Sequence, residues 1–351
     1  KTAHHILSPF PEGLFIFGYF WSRMKQFDTH RIFNINNADD FEEVALDIFK
    51  FQYENNEVYR DFCIHLRKSP KNVSSSLEIP FLPISFFKTH KVTSTQKEPE
   101  TIFTSSGTTQ STTSKHFVPD IELYEKSFLK AFELFYGMPK DFCILALLPS
   151  YLEREGSSLI YMVNSLIEKS GHPHSGFYLH NLEELHQKLK ILESKGAKTL
   201  LIGVSFALLD LVEQFPSTLT NTIVMETGGM KGRRKELIRE ELHQILEKGL
   251  GVEHIHSEYG MTELLSQGYS KGNGIFETPP WMKIVTRDTE DPLSIQPNGK
   301  TGGVNVIDLA NLYSCSFIAT QDLGKTHPNG TFEVLGRFDD SDIRGCNLMV
   351  L

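Results

Sequence analysis

The sequence predicts an α/β fold with a mostly parallel sheet, extended by a small β subdomain. Between residues 119 and 256, segments with helical spacing alternate with short apolar runs, which is typical of βαβ units. The runs are continuously apolar, as expected for strands buried on both faces. From residue 281 onward, shorter runs are separated by Pro-Asn-Gly and Gly-Gly turns. The end of the chain therefore predicts further, turn-connected strands.

The length of 351 residues exceeds one typical domain. We expect three parts: an N-terminal extension outside the fold over residues 1–23, an α/β body over 24–280, and a β subdomain with a tail over 281–351. Residues 1–23 carry an apolar patch of only eight residues, Leu14–Trp21, without the charged start and cleavage site of a signal peptide. This pattern predicts a segment that does not pack on the body.

Composition excludes several classes of protein. A net charge of −9 provides no basic surface for nucleic acid. No apolar run approaches the ~18 residues of a membrane-spanning helix. Four cysteines without Cys-x-x-Cys spacing predict reduced thiols and a cytoplasmic protein, not a disulfide framework or a zinc ribbon.

The elements follow from local spacing and caps. In the first helix, the apolar residues Phe41, Val44, Ala45, Ile48 and Phe49 lie on one face behind a cap at Asn37. The predicted helices span 37–55, 119–136, 156–170, 181–195, 206–214 and 231–248. The predicted strands span 101–103, 143–148, 177–179, 199–204, 222–225, 253–256, 282–287, 303–309, 314–319 and 331–335.

The stretch 104–116 is rich in serine and threonine and is closed by Lys115 and His116. Gly107 allows close backbone approach, and successive N–H groups form anion-binding concavities. Hydroxyl donors and a lysine suit a polyphosphate. The alternative interpretation is a solvated surface loop, and the stretch alone leaves both open.

Four further polar segments follow predicted strands, at 226–234, 257–263, 321–324 and 336–340. Each one alone could be an ordinary turn. In open α/β sheets, however, ligands bind beyond the carboxyl ends of the strands. We therefore expect these segments to converge around one ligand.

The ordered segments resemble the motifs of the adenylate-forming superfamily, and within it the acyl-protein synthetase (LuxE) family, with the phenylacetate-CoA ligases as more distant relatives. The resemblance runs from about residue 34 to the end. The motifs that carry it are Ser105-Ser106-Gly107-Thr108-Thr109, Gly228-Gly229, Tyr259-Gly260-Met261-Thr262-Glu263, Asp322, and Gly336-Arg337-Phe338-Asp339-Asp340.

The resemblance implies ATP-dependent activation of a carboxylic acid to acyl-AMP with Mg²⁺, and a fatty acid is the expected class of substrate. It assigns the β and γ phosphates to residues 105–109, the adenine side to Gly228, Gly229 and Tyr259, and the ribose to Asp322. Arg337 would contact the same sugar or a phosphate, and Gly260 would be a further nucleotide-binding residue. Glu263 would bind Mg²⁺, Thr262 would contact the α-phosphate, and Lys115 would neutralise pyrophosphate.

The resemblance also implies that a cysteine near the C-terminus accepts the acyl group, a position that Cys346 fits. A thiolate is a suitable acceptor, although a free cysteine is more often a small buried residue. The superfamily's C-terminal lid domain is expected to be absent, and Gln110 replaces the usual glycine of the loop. An acyl reductase or an acyl-carrier protein would be the partner. The alternatives are a ligase that transfers the acyl group to CoA or a carrier, and a non-catalytic nucleotide- or acyl-binding module.

Overall fold

The computed structural model describes residues 27–105, 113–149, 156–228 and 237–338. The predicted extension 1–23 lies outside these residues. The α-helices in the described part are α1 Ala38–Asn55, α2 Glu57–His65, α3 Phe86–Thr89, α4 Ile121–Tyr136, α5 Ser158–Ser170, α6 Leu182–Ser194, α7 Ser205–Gln214 and α8 Arg239–Leu250. The strands are β1 Leu82–Pro83, β2 Thr101–Thr104, β3 Lys115–Val118, β4 Cys143–Leu147, β5 Gly176–Phe177, β6 Thr199–Val204, β7 Thr222–Thr227, β8 His256–Tyr259, β9 Gly268–Ser270, β10 Ile275–Glu277, β11 Met282–Arg287, β12 Thr301–Asp308, β13 Phe317–Thr326 and β14 Phe332–Arg337.

One large sheet organises the described residues. Its central path runs β11-β12-β13-β14-β10-β9-β8-β7-β6-β4-β5, and β1 pairs with β13. The α/β fold is confirmed, with helices flanking a large sheet. The sheet is mixed, however: strands β5, β4, β6, β7 and β8 are parallel, whereas the path from β8 to β11 is antiparallel.

Hydrogen bonding crosses the predicted boundary at residue 281. Strand β10 pairs with β14 through Phe276 and Phe332, and β1 pairs with β13 through Leu82 and Ile318. The turn-connected strands of the C-terminal part thus extend the main sheet. The division into a body and a β subdomain stays a prediction.

The local signals predicted most helices closely. Asn37 caps α1 by accepting from the amide of Asp40 at 2.9 Å, and the side chains of Phe41, Val44 and Ile48 are buried as predicted. The central strand β6 has the predicted bounds and is buried throughout. Buried apolar side chains from α1 to β14 form one continuous core.

Among the strands whose bounds differ from the predictions, two carry site residues of the Tyr-Gly-Met-Thr-Glu segment and Asp322. The predicted strand 253–256 begins only at His256, because pairing with β7 starts at Met225 and residues 253–254 are exposed. The predicted strand 314–319 is instead β13, which continues to Thr326 because its antiparallel partners extend along it. Tyr259 and Asp322 therefore lie within strands, not in loops after them.

Cys143 and Cys315 are buried, as predicted, and Cys63 is buried on α2. Burial raises the pKa of Cys63 to about 12 and that of Cys143 to about 11, so these thiols are protonated at neutral pH. None of the described helices combines the length and apolar character needed to span a membrane.

Candidate active site

Strands β2 and β3 form the neck of the predicted phosphate loop. They are antiparallel, with Thr104 opposite Lys115. The amide of Ser105 donates to the Ser114 carbonyl oxygen at 3.1 Å, and the Ser114 amide donates to the Ser105 hydroxyl at 2.9 Å. The two ends of the loop are thus fixed to each other. Lys115 is exposed at the start of β3.

Glu263 lies next to this neck. The residue is 5% exposed, and the Ser114 side chain lies close enough to its carboxyl group to favour the ionised form. Burial raises the pKa of Glu263, while the Ser114 side chain opposes the increase. The structure therefore brings the predicted metal-binding carboxylate to the base of the predicted phosphate loop.

A second group joins Tyr259, Asp322 and Arg337. The Tyr259 hydroxyl donates to Oδ2 of Asp322 at 2.8 Å, and Nε of Arg337 lies 3.3 Å from Oδ1. Asp322 and Arg337 are paired residues of β13 and β14. Burial raises the pKa of Asp322, and Arg337 is the largest opposing influence. Each carboxylate oxygen keeps a further lone pair for a ligand hydroxyl.

The ring of Tyr259 is packed within the hydrophobic core. It packs edge-to-face on Phe332 at 5.5 Å and on Phe276 at 6.1 Å, and the residue is only 8% exposed. Little of the ring surface is left for stacking on adenine. The geometry favours a role for Tyr259 in holding Asp322.

A partly buried guanidinium, missed from the sequence, supports the strand of Asp322. Arg287 donates to the carbonyl oxygens of Thr320 at 2.6 Å and Val304 at 2.9 Å. A Cβ atom at Gly303 would lie 2.5 Å from the Arg287 guanidinium carbon, so the guanidinium would have to move away from this position if residue 303 carried a side chain. Arg287 also favours the ionised form of Asp322 electrostatically. In the sequence, the Gly302-Gly303 pair was the available signal for the space that Arg287 occupies, but it was interpreted as a turn.

Gly228 lies at the carboxyl end of β7, beside the end of β8. It has a φ of +67°, and its carbonyl accepts from the Ser205 hydroxyl at 2.6 Å. The preceding Thr227 donates from its hydroxyl to Oε2 of Glu258 at 2.6 Å. Burial raises the pKa of Glu258 to about 7, and the charge of Glu226 adds to this. Glu258 was absent from the predicted site.

Gly260, predicted to bind the nucleotide, permits this arrangement. A Cβ atom at position 260 would collide with the Glu258 carboxylate and would lie 3.4 Å from Cγ of Gln267. The glycine of the Tyr-Gly-Met-Thr-Glu segment therefore leaves room for the carboxyl group two positions earlier.

The segment after Glu263 is held by another buried carboxylate. Asp308 accepts from the amides of Leu265 at 2.7 Å and Ser266 at 3.0 Å, and from the Ser266 hydroxyl at 2.6 Å. Burial raises the pKa of Asp308 to about 6, against these hydrogen bonds. In the sequence, Asp308 is only a polar residue inside an apolar run, and nothing there indicated that it binds the segment after Glu263.

Several predicted residues lie outside the described part of the chain: Ser106, Gly107, Thr108, Thr109, Gly229 and Cys346. Their predicted roles stay predictions, as does that of Lys115. Within the described ranges, no three His, Cys, Asp or Glu side chains converge as a metal site. Mg²⁺ is commonly bound by one or two carboxylates when substrate phosphates supply further oxygens, so the predicted role of Glu263 does not require such a cluster.

Comparison with known proteins independently supports the resemblance to the LuxE family. The family described as acyl-protein synthetase, LuxE, matches residues 33–147. A long-chain-fatty-acid–luciferin-component ligase of Photorhabdus luminescens is 39% identical over 67 residues, which are 19% of this chain and 57% of that protein. The resemblance to the LuxE family is confirmed. The LuxE match extends from before α1 to the end of β4, and so includes the neck of the phosphate loop.

Solved adenylate-forming ligases share the fold. The 2-hydroxyisobutyryl-CoA ligase in complex with 2-HIB-AMP and CoA, in the thioesterification state, has a TM-score of 0.63 at 14% identity, over 90% of this LuxE-like chain and 74% of that one. ATP-bound MatB from Rhodopseudomonas palustris has a TM-score of 0.50 at 17% identity, over 67% of this chain and 47% of its own. The chain thus spans about half of MatB and of the Photorhabdus ligase. At these identities the structural likeness establishes the fold.

Proposed function

We propose that the protein activates a carboxylic acid with ATP to give acyl-AMP and pyrophosphate. The observation that carries the proposal is the placement of two carboxylates. Glu263 lies against the neck of the phosphate loop through Ser114, and Asp322 is held by Tyr259 and Arg337. A carboxylate at each position provides separate contacts for the phosphates and the ribose of one nucleotide.

The described residues fit ATP by their chemistry. Asp322 keeps lone pairs for ribose hydroxyls, and Gly228 adopts a positive φ at the carboxyl end of a parallel strand, where nucleotides commonly bind. Glu263 offers hard oxygen atoms for Mg²⁺, which would screen the phosphate charges. Bringing the acid and the nucleotide together in the correct orientation is the main task in such a transfer.

In the proposed reaction, a carboxylate oxygen of the acid attacks the α-phosphorus of ATP. The new O–P bond forms as the bond to the β-phosphate oxygen breaks, and pyrophosphate leaves with the electron pair. Thr262 would donate to the α-phosphate, and Lys115 with residues 105–109 would hold the leaving group. Asp322 and Arg337 would fix the ribose.

The second step of the proposal is transfer to Cys346. The thiolate attacks the acyl carbonyl, the thioester forms and AMP leaves, while the thiol proton passes to solvent. The likeness to the Photorhabdus long-chain-fatty-acid ligase supports a long-chain fatty acid as the substrate. We further propose a cytoplasmic location and an acyl reductase as the partner that receives the acyl group.

The primary test is pyrophosphate release with ATP, Mg²⁺ and a panel of acids of increasing chain length. We expect an acid-dependent signal that Asp322→Ala reduces at least about tenfold through a higher KM for ATP. Lys325→Ala, a change of charge on the same strand, is the control and should leave the rate unchanged. Binding of ATP without acid-dependent turnover would instead favour a non-catalytic nucleotide-binding module.

The acceptor is tested separately with a radiolabelled acid. We expect covalent labelling of the wild type and none of Cys346→Ala, with pyrophosphate release retained in the variant. The alternative is a ligase that uses CoA, as the 2-hydroxyisobutyryl-CoA ligase of the same fold does. Labelling that persists in Cys346→Ala, or acyl-CoA formation without labelled protein, would overturn the transfer to Cys346.

A further inference from the structure

A buried polar network connects the strand that leaves the phosphate loop to the segment of Thr262 and Glu263. On β3, Nδ1 of His116 donates to the Thr262 carbonyl oxygen at 2.8 Å, and Nε2 lies 3.0 Å from Oδ1 of Asn311. His116 is 1% exposed and Asn311 is fully buried. These contacts join residues that are 146 and 195 positions apart in the chain.

The orientation of the Asn311 amide is fixed by its own contacts. Its Nδ2 donates to the carbonyl oxygens of Glu263 at 2.8 Å and Cys315 at 2.9 Å. Since neither carbonyl can donate, the amide nitrogen must face them and Oδ1 must face His116. Asn311 therefore holds the backbone of Glu263, and His116 holds the backbone of Thr262.

The hydrogen-bond pattern around the His116 ring is unfavourable. Both ring nitrogens face acceptors, a pattern that only the doubly protonated ring satisfies fully. Burial nevertheless lowers the pKa of His116 to about 4, so one contact lacks its hydrogen at neutral pH. Local mismatches of this kind concentrate at functional sites.

The loop that carries Asn311 is held from its other side by α1. Nε2 of Gln52 donates to the carbonyl oxygens of Asn311 at 3.0 Å and Leu312 at 2.9 Å, and Oε1 accepts from the Ser316 amide at 3.0 Å. Gln52 thus stabilises the loop through the loop's backbone atoms, whereas Asn311 holds Glu263 through its side-chain amide. Loss of the Gln52 contacts should therefore affect the stability of the loop, whereas loss of the Asn311 side chain should affect the position of Glu263.

We propose that His116 and Asn311 are positioning residues that keep Thr262 and Glu263 in fixed register with the neck of the phosphate loop. The proposal rests on the proposed function, in which the Thr262–Glu263 segment and the phosphate loop must contact the same nucleotide. A shift of Thr262 relative to the neck would misplace the α-phosphate contact while leaving the ribose contacts at Asp322 intact. Loss of the network should therefore reduce kcat more than ATP binding.

The experiment compares His116→Phe and Asn311→Ala with Gln52→Leu. For the first two, we expect kcat for acid-dependent pyrophosphate release to fall about 10- to 100-fold, with KM for ATP changed less than threefold. His116→Gln, which keeps one donor, should recover part of kcat. Gln52→Leu should lower the melting temperature at least as much, with kcat within about threefold of wild type.

Amide hydrogen exchange, measured without any ligand, provides a readout that does not depend on activity. We expect faster exchange at residues 263–266 in His116→Phe and Asn311→Ala, and unchanged exchange there in Gln52→Leu. Unchanged exchange in the first two variants, or a fall in kcat that follows the loss of melting temperature in all three, would overturn the positioning role. An inactive wild type would refute the proposed function, while exchange would still decide the placement of the segment.

Discussion

The hydroxyl of Tyr259 donates to Oδ2 of Asp322 at 2.8 Å, and both residues are buried. Tyr259 ends a parallel strand, whereas Asp322 lies in the middle of an antiparallel one. Two segments predicted as separate parts of a nucleotide site thus share one hydrogen bond. The carboxylate is fixed before any ligand binds, which reduces the ordering needed on binding.

Tyr259→Phe tests this bond because it removes the hydroxyl and retains the ring packed on Phe276 and Phe332. We expect the free energy of unfolding to fall by about 1–3 kcal/mol, since a buried carboxylate loses a donor. ATP affinity, measured by calorimetry, should fall several-fold. Tyr53→Phe on α1 is the matched control and should change stability by less than about 0.5 kcal/mol. An equal effect of both changes would contradict a special role of the Tyr259 hydroxyl.

Glu258 predicts a pH dependence of stability. Burial raises its folded-state pKa to about 7 from the ordinary value of 4.5, so the folded state binds more protons than the unfolded state between these values. Stability should therefore fall as the pH rises from 4.5 through 7. In Glu258→Gln this part of the fall should disappear, leaving the variant relatively more stable at pH 8, by on the order of 2 kcal/mol.

The measurement is chemical denaturation of wild type and Glu258→Gln at pH 5, 6, 7 and 8. Glu253→Gln, an exposed change of the same kind, serves as the control and should retain the wild-type slope. Parallel stability profiles for wild type and Glu258→Gln would show that Glu258 titrates normally.

Gly260→Ala should be destabilising because the new Cβ meets the Glu258 carboxylate. We expect a loss of about 1–3 kcal/mol, the usual range for overpacking. If the collision is the cause, combining it with Glu258→Ala should give a smaller loss than the sum of the single changes, with a coupling energy of about 1 kcal/mol or more.

Gly176→Ala is the matched control for this substitution, because a Cβ atom there would lie no closer than 3.7 Å to the Tyr178 ring. We expect it to change stability by less than about 1 kcal/mol. Strict additivity of Gly260→Ala and Glu258→Ala in the denaturation data would assign the effect to something other than their contact.

The order of helices and strands was predictable because its signals are local. Asn37 caps the first helix, and the apolar run Thr199–Val204 is a buried strand, as their neighbours in sequence indicate. The motifs that resemble the LuxE family were recognised in the same way, and the comparisons confirm that resemblance. The bounds of β8 and β13 were wrong, because a strand extends as far as its pairing partners allow and those partners lie far away in sequence.

By itself, the sequence determined the α/β order, the family resemblance and the residue types of the candidate site, since these depend on spacing along the chain. Only the tertiary structure decided which residues meet. It joined Tyr259 to Asp322, His116 to Thr262 and Asn311, and Thr227 to Glu258. No periodicity predicts such pairs, because a hydrogen bond between distant residues depends on how strands are ordered in the sheet. That order is selected by the packing of the whole core.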